Sequence, residues 1–200
     1  MRIRPGDPFS YAYLLGMYLG DGHIGRTSVA SYQLRITLDG AYPEIVEECR
    51  VAMLLSLPSV RPHVRTDRVE RRVNVDAGST DWPALFPQMA PGRKHERPIV
   101  LAPWQQAIVD AHPARFVRGL IHSDGCRTVN RFTTKLPSGR VAEYAYPRYF
   151  FSNLSADIRG LFCESCDRLG VRWTQSNPRN ISISHRRSVA LLDELVGPKR

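Results

Sequence analysis

The 200-residue chain lacks the features that would tie it to a membrane or to a disulfide framework. It has no run long and apolar enough to cross a bilayer, and its first residues, 1–6, lack the apolar core of a secretory signal. Its four cysteines are too unevenly placed to suggest a set of disulfides. We therefore expect a cytoplasmic protein that does not contact a membrane.

Two further absences narrow the chemistry. No glycine-rich loop that could cradle phosphates is present, so nucleotide hydrolysis is unsupported, and the six histidines form no HExxH-like cluster. Cys163-Glu164-Ser165-Cys166 has metal-ligand spacing but falls within an amphipathic helical pattern without a second pair. This spacing therefore favours core cysteines over a zinc site.

Acidic residues are outnumbered, with 19 against 28 lysines and arginines and a net charge of +9. Residues 1–100 hold 13 basic and 11 acidic residues, whereas residues 101–200 hold 15 and 8. Such an excess favours a polyanionic partner rather than a small-molecule substrate. We expect double-stranded DNA as the partner, with the second half making the stronger contact with its backbone.

One helical pattern occurs twice, in Leu14-Leu15-Gly16-Met17-Tyr18-Leu19-Gly20-Asp21-Gly22 and, 103 residues later, in Val117-Arg118-Gly119-Leu120-Ile121-His122-Ser123-Asp124-Gly125. Each copy has small residues four apart and ends in Asp-Gly. Small residues let two backbones approach closely. The repeat predicts a pseudo-dimer in which the two helices meet along Gly16, Gly20, Gly119 and Ser123.

The two acids of this repeat predict a metal site. An aspartate in the last turn of a helix faces the negative end of the helix dipole, at a cost of roughly 0.3–1 kcal/mol. Two such groups also repel each other. A divalent cation such as Mg²⁺ offsets both the unfavourable helix dipole and the repulsion between the carboxylates. Asp21 and Asp124 are therefore the expected metal ligands for phosphodiester hydrolysis. The alternative, that each Asp-Gly is only a helix stop, is disfavoured by the repetition.

The order of elements also repeats and predicts an α+β fold. We expect a first half at 1–103, with a Pro/Gly-rich linker at 87–103, and a second half at 104–200. Gly22 is the expected stop of the first helix. The predicted helices are 8–20, 43–57, 82–86, 104–110, 113–123, 155–169 and 187–196, and the predicted hairpins are 23–38, 59–76, 126–152 and 171–184.

Alternation along these hairpins predicts sheets with an apolar face against helices and a basic face suited to a DNA groove. In the second half, Arg127, Arg131 and Lys135 are at odd-numbered positions of the strand and share one face, while Phe132 is at an even-numbered position and is expected on the face that packs against the helices. The alternative is a solvated antiparallel sheet, but basic faces in both halves favour binding. The candidate DNA contacts are Arg35, Arg61, Arg65, Arg72, Arg127, Arg131, Lys135 and Arg148.

The two repeated segments resemble the signature of the LAGLIDADG homing endonucleases. Gly16 and Gly119 match its central glycine, and the closing Asp-Gly is present in both copies. The sixth position, acidic in the namesake, is Leu19 in one copy and His122 in the other. That position is not a metal ligand, so the departure leaves the expected chemistry intact.

The resemblance implies a single chain of two pseudo-symmetric αββαββα halves, whose signature helices form the interface and whose saddle-shaped sheets lie in the major groove. It implies Mg²⁺-dependent cleavage of both DNA strands with Asp21 and Asp124 as ligands. It also implies a basic residue or a glutamine near the reacting water in each half. The candidates are Lys94, Arg187 (or Arg186 beside it) and Gln33.

Two other functions fit the same architecture. One is a DNA-binding regulator that does not cut, although both acids are retained and no separate helix-turn-helix segment stands out. The other is an RNA-splicing maturase, although the sequence shows no aromatic stacking platform. We expect a monomeric, nucleoid-associated endonuclease in the cytoplasm.

Overall fold

The computed structural model describes residues 3–29, 31–67, 71–197 and 199. The first half contains α1 Pro8–Asp21, β1 Gly22–Arg26, β2 Tyr32–Asp39, α2 Pro43–Ser56, β3 His63–Asp67, β4 Arg72–Ser79 and α3 Trp82–Leu85. A short 3-10 turn, Lys94–Glu96, and helix α4, Pro103–Ala111, follow. The second half contains α5 Pro113–Asp124, β5 Gly125–Lys135, β6 Val141–Ser152, α6 Ala156–Arg168, β7 Thr174–Asn177, β8 Asn180–Ile183 and α7 Arg186–Leu195.

The two halves have the same sheet topology. Each contributes an antiparallel four-stranded sheet, with strand orders β1-β2-β4-β3 and β5-β6-β8-β7. The helices follow the strands in the same order in both halves, apart from α4, which lies in the connection. The predicted α+β fold of two pseudo-symmetric αββαββα halves is confirmed. No helix in the described part of the chain combines the length and apolar content that a membrane span requires.

Helices α1 and α5 pack against each other through their main chains. A Cβ atom added to Gly16 would lie 2.6 Å from the carbonyl oxygen of Phe116, and one added to Gly119 would lie 3.0 Å from the amide nitrogen of Met17. Neither neighbour is a flexible side chain that could move aside. The glycines of the repeat are therefore required by the close approach of the two helices.

Polar side chains join the halves around this contact. The Tyr13 hydroxyl and Nδ1 of His122 are 3.0 Å apart across the α1–α5 interface. Glu48 of α2 accepts hydrogen bonds from Arg118 and Arg115 of α5, at 2.7 and 2.8 Å. Because these contacts surround a buried interface, the two halves share one core.

The glycines that follow the two aspartates do not act as left-handed stops. Gly22 and Gly125 are both extended, at φ of −87° and −106°. A Cβ atom would lie 2.5 Å from the Cα of Tyr18 at the first position and 2.7 Å from the Cα of Ile121 at the second. The helices end directly in strands, and glycine is needed there for space rather than for backbone conformation.

The faces of the second sheet are opposite to those expected from alternation. Arg127 pairs in register with Tyr149, and Gly125 with Phe151, and both aromatic partners are buried. The parity of Arg127, Arg131 and Lys135 is therefore the helix-facing one. The prediction that Phe132 packs against helices is wrong, since it lies on the opposite face and is 45% exposed. The alternation of β5 continues beyond the core, where neither face is buried.

Candidate functional site

The two aspartates of the repeat lie at the same end of the paired helices. Asp21 ends α1 and Asp124 ends α5. A Cβ atom on Gly20 would be 3.1 Å from Oδ2 of Asp124, so this carboxylate crosses to the opposite helix. Nδ2 of Asn153, just beyond β6, donates a hydrogen bond of 2.6 Å to the same oxygen.

The surroundings of the pair favour the protonated acids. Asp21 is an exposed residue, but the surrounding protein partly shields its carboxylate from water, and the negative charge of Asp124 adds to this effect. Together they raise the pKa of Asp21 to about 6. Burial also raises the pKa of Asp124, against the hydrogen bond from Asn153. Groups that are costly to ionise and lie close together are typical of functional sites.

Lys94, one of the residues singled out from the sequence, lies beside the pair. Its ammonium donates hydrogen bonds to the carbonyl oxygens of Leu19 and Gly20, at 3.1 and 3.0 Å, and to that of Tyr18. These carbonyls end α1, where a cation is favoured. Burial lowers the pKa of Lys94 to about 8, against the attraction of the two aspartates.

Lys199 takes the corresponding position in the second half, which sequence reasoning missed. Burial lowers its pKa, and the charges of Asp21 and Asp124 oppose that shift. Arg187, the sequence candidate, is exposed at the start of α7 and lines neither cleft at the aspartates. Both lysines follow the last helix of their half. That shared position is the signal by which Lys199 could have been found.

The two acids open into separate clefts. One, of about 430 Å³, is lined by Asp124, Lys94, Asn153 and His23 among others. The other, of about 300 Å³, is lined by Asp21, Asp39, His122, Ser123 and Lys199 among others. Each cleft therefore combines a carboxylate of the pair with a lysine from the end of one half. The arrangement follows the pseudo-two-fold symmetry of the fold.

The third sequence candidate, Gln33, lies elsewhere. Its side-chain amide donates a hydrogen bond to Asp76, and Gln33 lines neither cleft. Asp76 is only 2% exposed and also accepts a hydrogen bond of 2.9 Å from Nε of Arg65. Gln33 therefore helps to satisfy a buried acid on the sheet.

Four of the predicted DNA contacts lie on sheet faces turned away from the helices. Arg35 and Arg72 pair in register with Asp76 and Asp39, and Arg65 with Asn74, opposite the buried parity of the first sheet. In the second sheet Arg148 shares the face of Phe132, with its guanidinium 5.2 Å from the centre of the Phe150 ring.

The other four are placed differently. Arg61 precedes β3 and donates a hydrogen bond of 3.0 Å to the carbonyl oxygen of Val60. Arg127 forms an ion pair of 2.7 Å with Asp193 of α7. Arg131 and Lys135 share the parity of Arg127 but are exposed, beyond the core. These four are not on the sheet faces expected for groove contacts.

No family model matches the chain, and no curated protein matches its sequence. Solved structures do match it. WhiA (DUF199) from Thermatoga maritima is similar over 99% of this chain at 16% identity, with a TM-score of 0.57. The meganuclease I-AabMI bound to uncleaved DNA is similar over 94% at 13% identity and 0.55. The homing endonuclease I-WcaI bound to its DNA recognition sequence is similar over 98% at 10% identity and 0.55. The chain has the LAGLIDADG fold.

These similarities establish architecture. The chain spans 58% of WhiA, 82% of I-AabMI and 84% of I-WcaI. I-AabMI is described as a LAGLIDADG meganuclease and I-WcaI as a homing endonuclease, which agrees with the resemblance carried by the two repeated segments. WhiA is not named as an endonuclease, so the LAGLIDADG fold by itself does not establish cleavage.

The raised pKa of Asp21 gives a first testable prediction. The folded state binds its proton more tightly than the unfolded chain, so the charged carboxylate destabilises the fold as the pH rises from about 4 to about 6. Without divalent metal, Asp21→Asn should gain stability relative to the parent protein across this range and keep a constant advantage above it.

Urea unfolding of both proteins at several pH values in EDTA measures this difference. His122, whose pKa burial lowers to about 4, titrates in the same range. It is present in both proteins, and its contribution cancels in the difference. An advantage of the variant that is the same at pH 4 and pH 7 would contradict the electrostatic account.

Proposed function

We propose that this chain is a site-specific, divalent-metal-dependent endonuclease for double-stranded DNA, acting as a monomer on the nucleoid in the cytoplasm. One observation carries the proposal. The two helices that pack through their main chains end in Asp21 and Asp124, and each of these acids lines a cleft that is also lined by a lysine. The duplex-binding surface is supplied by the sheet faces that carry Arg35, Arg65 and Arg148.

The residues of the pair fit a hard cation. The carboxylates of Asp21 and Asp124 offer oxygen donors, and each acid lines a cleft with room for further ligands. Among the described residues, no three His, Cys, Asp or Glu side chains converge to form a complete ligand set. Mg²⁺ suits this incomplete set, because it binds through one or two carboxylates and takes its other ligands from water and substrate phosphates.

The protein's own residues then have separable roles. Asp21 and Asp124 would hold the cation, which when bound supplies activation of water and stabilisation of the leaving oxygen. Asn153 fixes the orientation of the Asp124 carboxylate. Lys94, with a pKa of about 8, can hold or release a proton near neutral pH beside the scissile phosphate. The pseudo-two-fold axis provides one acid for each strand.

A DNA-binding protein that does not cut is the second candidate. The observation in its favour is that the positive charges of Lys94 and Lys199 already offset part of the negative charge of the two acids without a metal. If that balance is the final state of the site, the acids would serve structure rather than hydrolysis.

The test begins with selection of bound sequences from a randomised duplex library. A plasmid that carries the selected site is then incubated with the protein and Mg²⁺ or EDTA. Linear product that forms only with Mg²⁺ supports the endonuclease. Tight binding without cutting supports the second candidate, and the absence of any enriched sequence overturns both.

A further inference from the structure

The β5–β6 hairpin extends well beyond the core. Its pairing is continuous from Gly125↔Phe151 to Lys135↔Val141, whereas β8 pairs only with residues 149–152. Residues 127–135 and 141–148 therefore form a two-stranded ribbon, and none of them is buried. The equivalent strand of the first half, β1, has only five residues. The ribbon distinguishes the second half from the first.

Three aromatic side chains lie together on one face of this ribbon. The rings of Phe132 and Tyr144 are 5.3 Å apart and inclined by 25°, and those of Tyr144 and Tyr146 are 6.0 Å apart and inclined by 16°. Phe132 and Tyr146 are 45% and 42% exposed. We call these three residues the aromatic patch. It shares its face with Arg148.

The charges around the aromatic patch indicate what covers it. Arg148 lies on the same face as the aromatic patch. Arg131 and Lys135 lie on the opposite face of the ribbon and Arg140 in its turn, and these three are exposed and have no acidic partner within the described ranges. The hairpin, residues 125–152, contains one acidic residue, Glu143. A positively charged ribbon complements the phosphates of a nucleic acid.

The shape of the ribbon selects the duplex groove. Paired strands lie about 4.7–4.9 Å apart, and the major groove, about 12 Å wide, admits a two-stranded ribbon. The face that carries the aromatic patch is the face turned away from the helices, and it would meet the base edges. The apolar group displayed there is the C5-methyl of thymine.

We propose that the aromatic patch contacts thymine methyl groups in the major groove and makes the target rich in thymine on the flank bound by the second half. Phe132 lies eight residues after Asp124. At about 3.4 Å per residue and per base pair, the preference falls no more than about eight base pairs from the centre of the target. The inference depends on the duplex binding in the proposed function and not on cleavage.

Deoxyuridine tests this directly, since it differs from thymidine only by the missing methyl. A duplex from the selection described above is compared with copies that carry deoxyuridine at thymines of that flank. Loss of one buried methyl should weaken binding roughly three- to fourfold. The same replacement in the opposite flank provides the comparison within the duplex.

Variants assign the effect to the aromatic patch. Phe132→Ser and Tyr146→Ser should bind the two duplexes equally, and Tyr146→Phe should still discriminate between them. Val141→Ser is the matched control, because Val141 is 60% exposed on the opposite face of the same ribbon. It should discriminate as the parent protein does.

Other results would overturn the proposal. Equal binding of both duplexes by the parent protein excludes methyl contacts. Tighter binding of single-stranded oligothymidine or RNA than of the duplex would make the aromatic patch a stacking platform for unpaired bases. If selection enriches no sequence, the proposed function itself fails, whereas binding without cutting contradicts only the endonuclease.

Discussion

Asp21→Asn and Asp124→Asn are each expected to reduce double-strand cleavage at least about a hundredfold, the factor that loss of one electrostatic stabiliser costs. Asparagine keeps the size of the side chain but removes the negative charge that would hold a divalent cation. DNA affinity should not fall, because both changes remove a negative charge near the phosphates.

Cleavage of the selected site in a plasmid and gel-shift affinity for the same site measure the two properties. Asp110→Asn is the matched control, because Asp110 forms a surface ion pair of 3.1 Å with Arg168 and lines neither cleft. It should cut as the parent protein does. If Asp21→Asn or Asp124→Asn cleaves within tenfold of the parent rate, the two acids do not take part in the reaction.

Gly119→Ala should destabilise the protein by about 3 kcal/mol or more, since the added methyl meets main-chain atoms of the facing helix. Its Cβ would lie 3.0 Å from the Met17 amide nitrogen and closer still to the Tyr13 carbonyl oxygen. The helices must separate to admit it. Cleavage should fall as well, because Asp124 is five residues further along the same helix.

Gly160→Ala provides the control for the same chemical change. Gly160 lies in α6, and a Cβ atom added there would have no neighbour within 4 Å outside its own helix backbone. This variant should gain about 0.5–1 kcal/mol from helix propensity. Urea unfolding compares the two variants with the parent protein. Equal midpoints for Gly119→Ala and Gly160→Ala would show that the α1–α5 contact is looser than its geometry indicates.

Much of the fold could be predicted from two local patterns. Strict alternation, as in Leu34, Ile36 and Leu38, predicted a strand with one buried face, and the structure buries all three residues. The repeated Asp-Gly segments predicted which helices meet and which acids share an end of the molecule. These predictions are correct because each depends on the spacing of residues within a single helix or strand.

What the sequence did not predict depends on distances between elements. Asn153 reaches Asp124 from the end of β6, and no spacing within one element predicts that approach. Lys199 could be found only by comparing its position with that of Lys94 in the other half. The prediction of which face of β5 packs against the helices was wrong for a different reason. An alternating pattern identifies two faces, but only burial decides which is inward, and Phe132 lies beyond the buried region.

At Gly16 and Gly119 the contact between α1 and α5 is made by main-chain atoms, and at these points it does not depend on side-chain rotamers. Substitutions on the exposed faces of both sheets therefore need not change the spacing of the two carboxylates. The close approach of α1 and α5 therefore depends on a few glycines and not on the strands. This division gives a physical reason why proteins with only 8–16% identity to this chain keep its architecture.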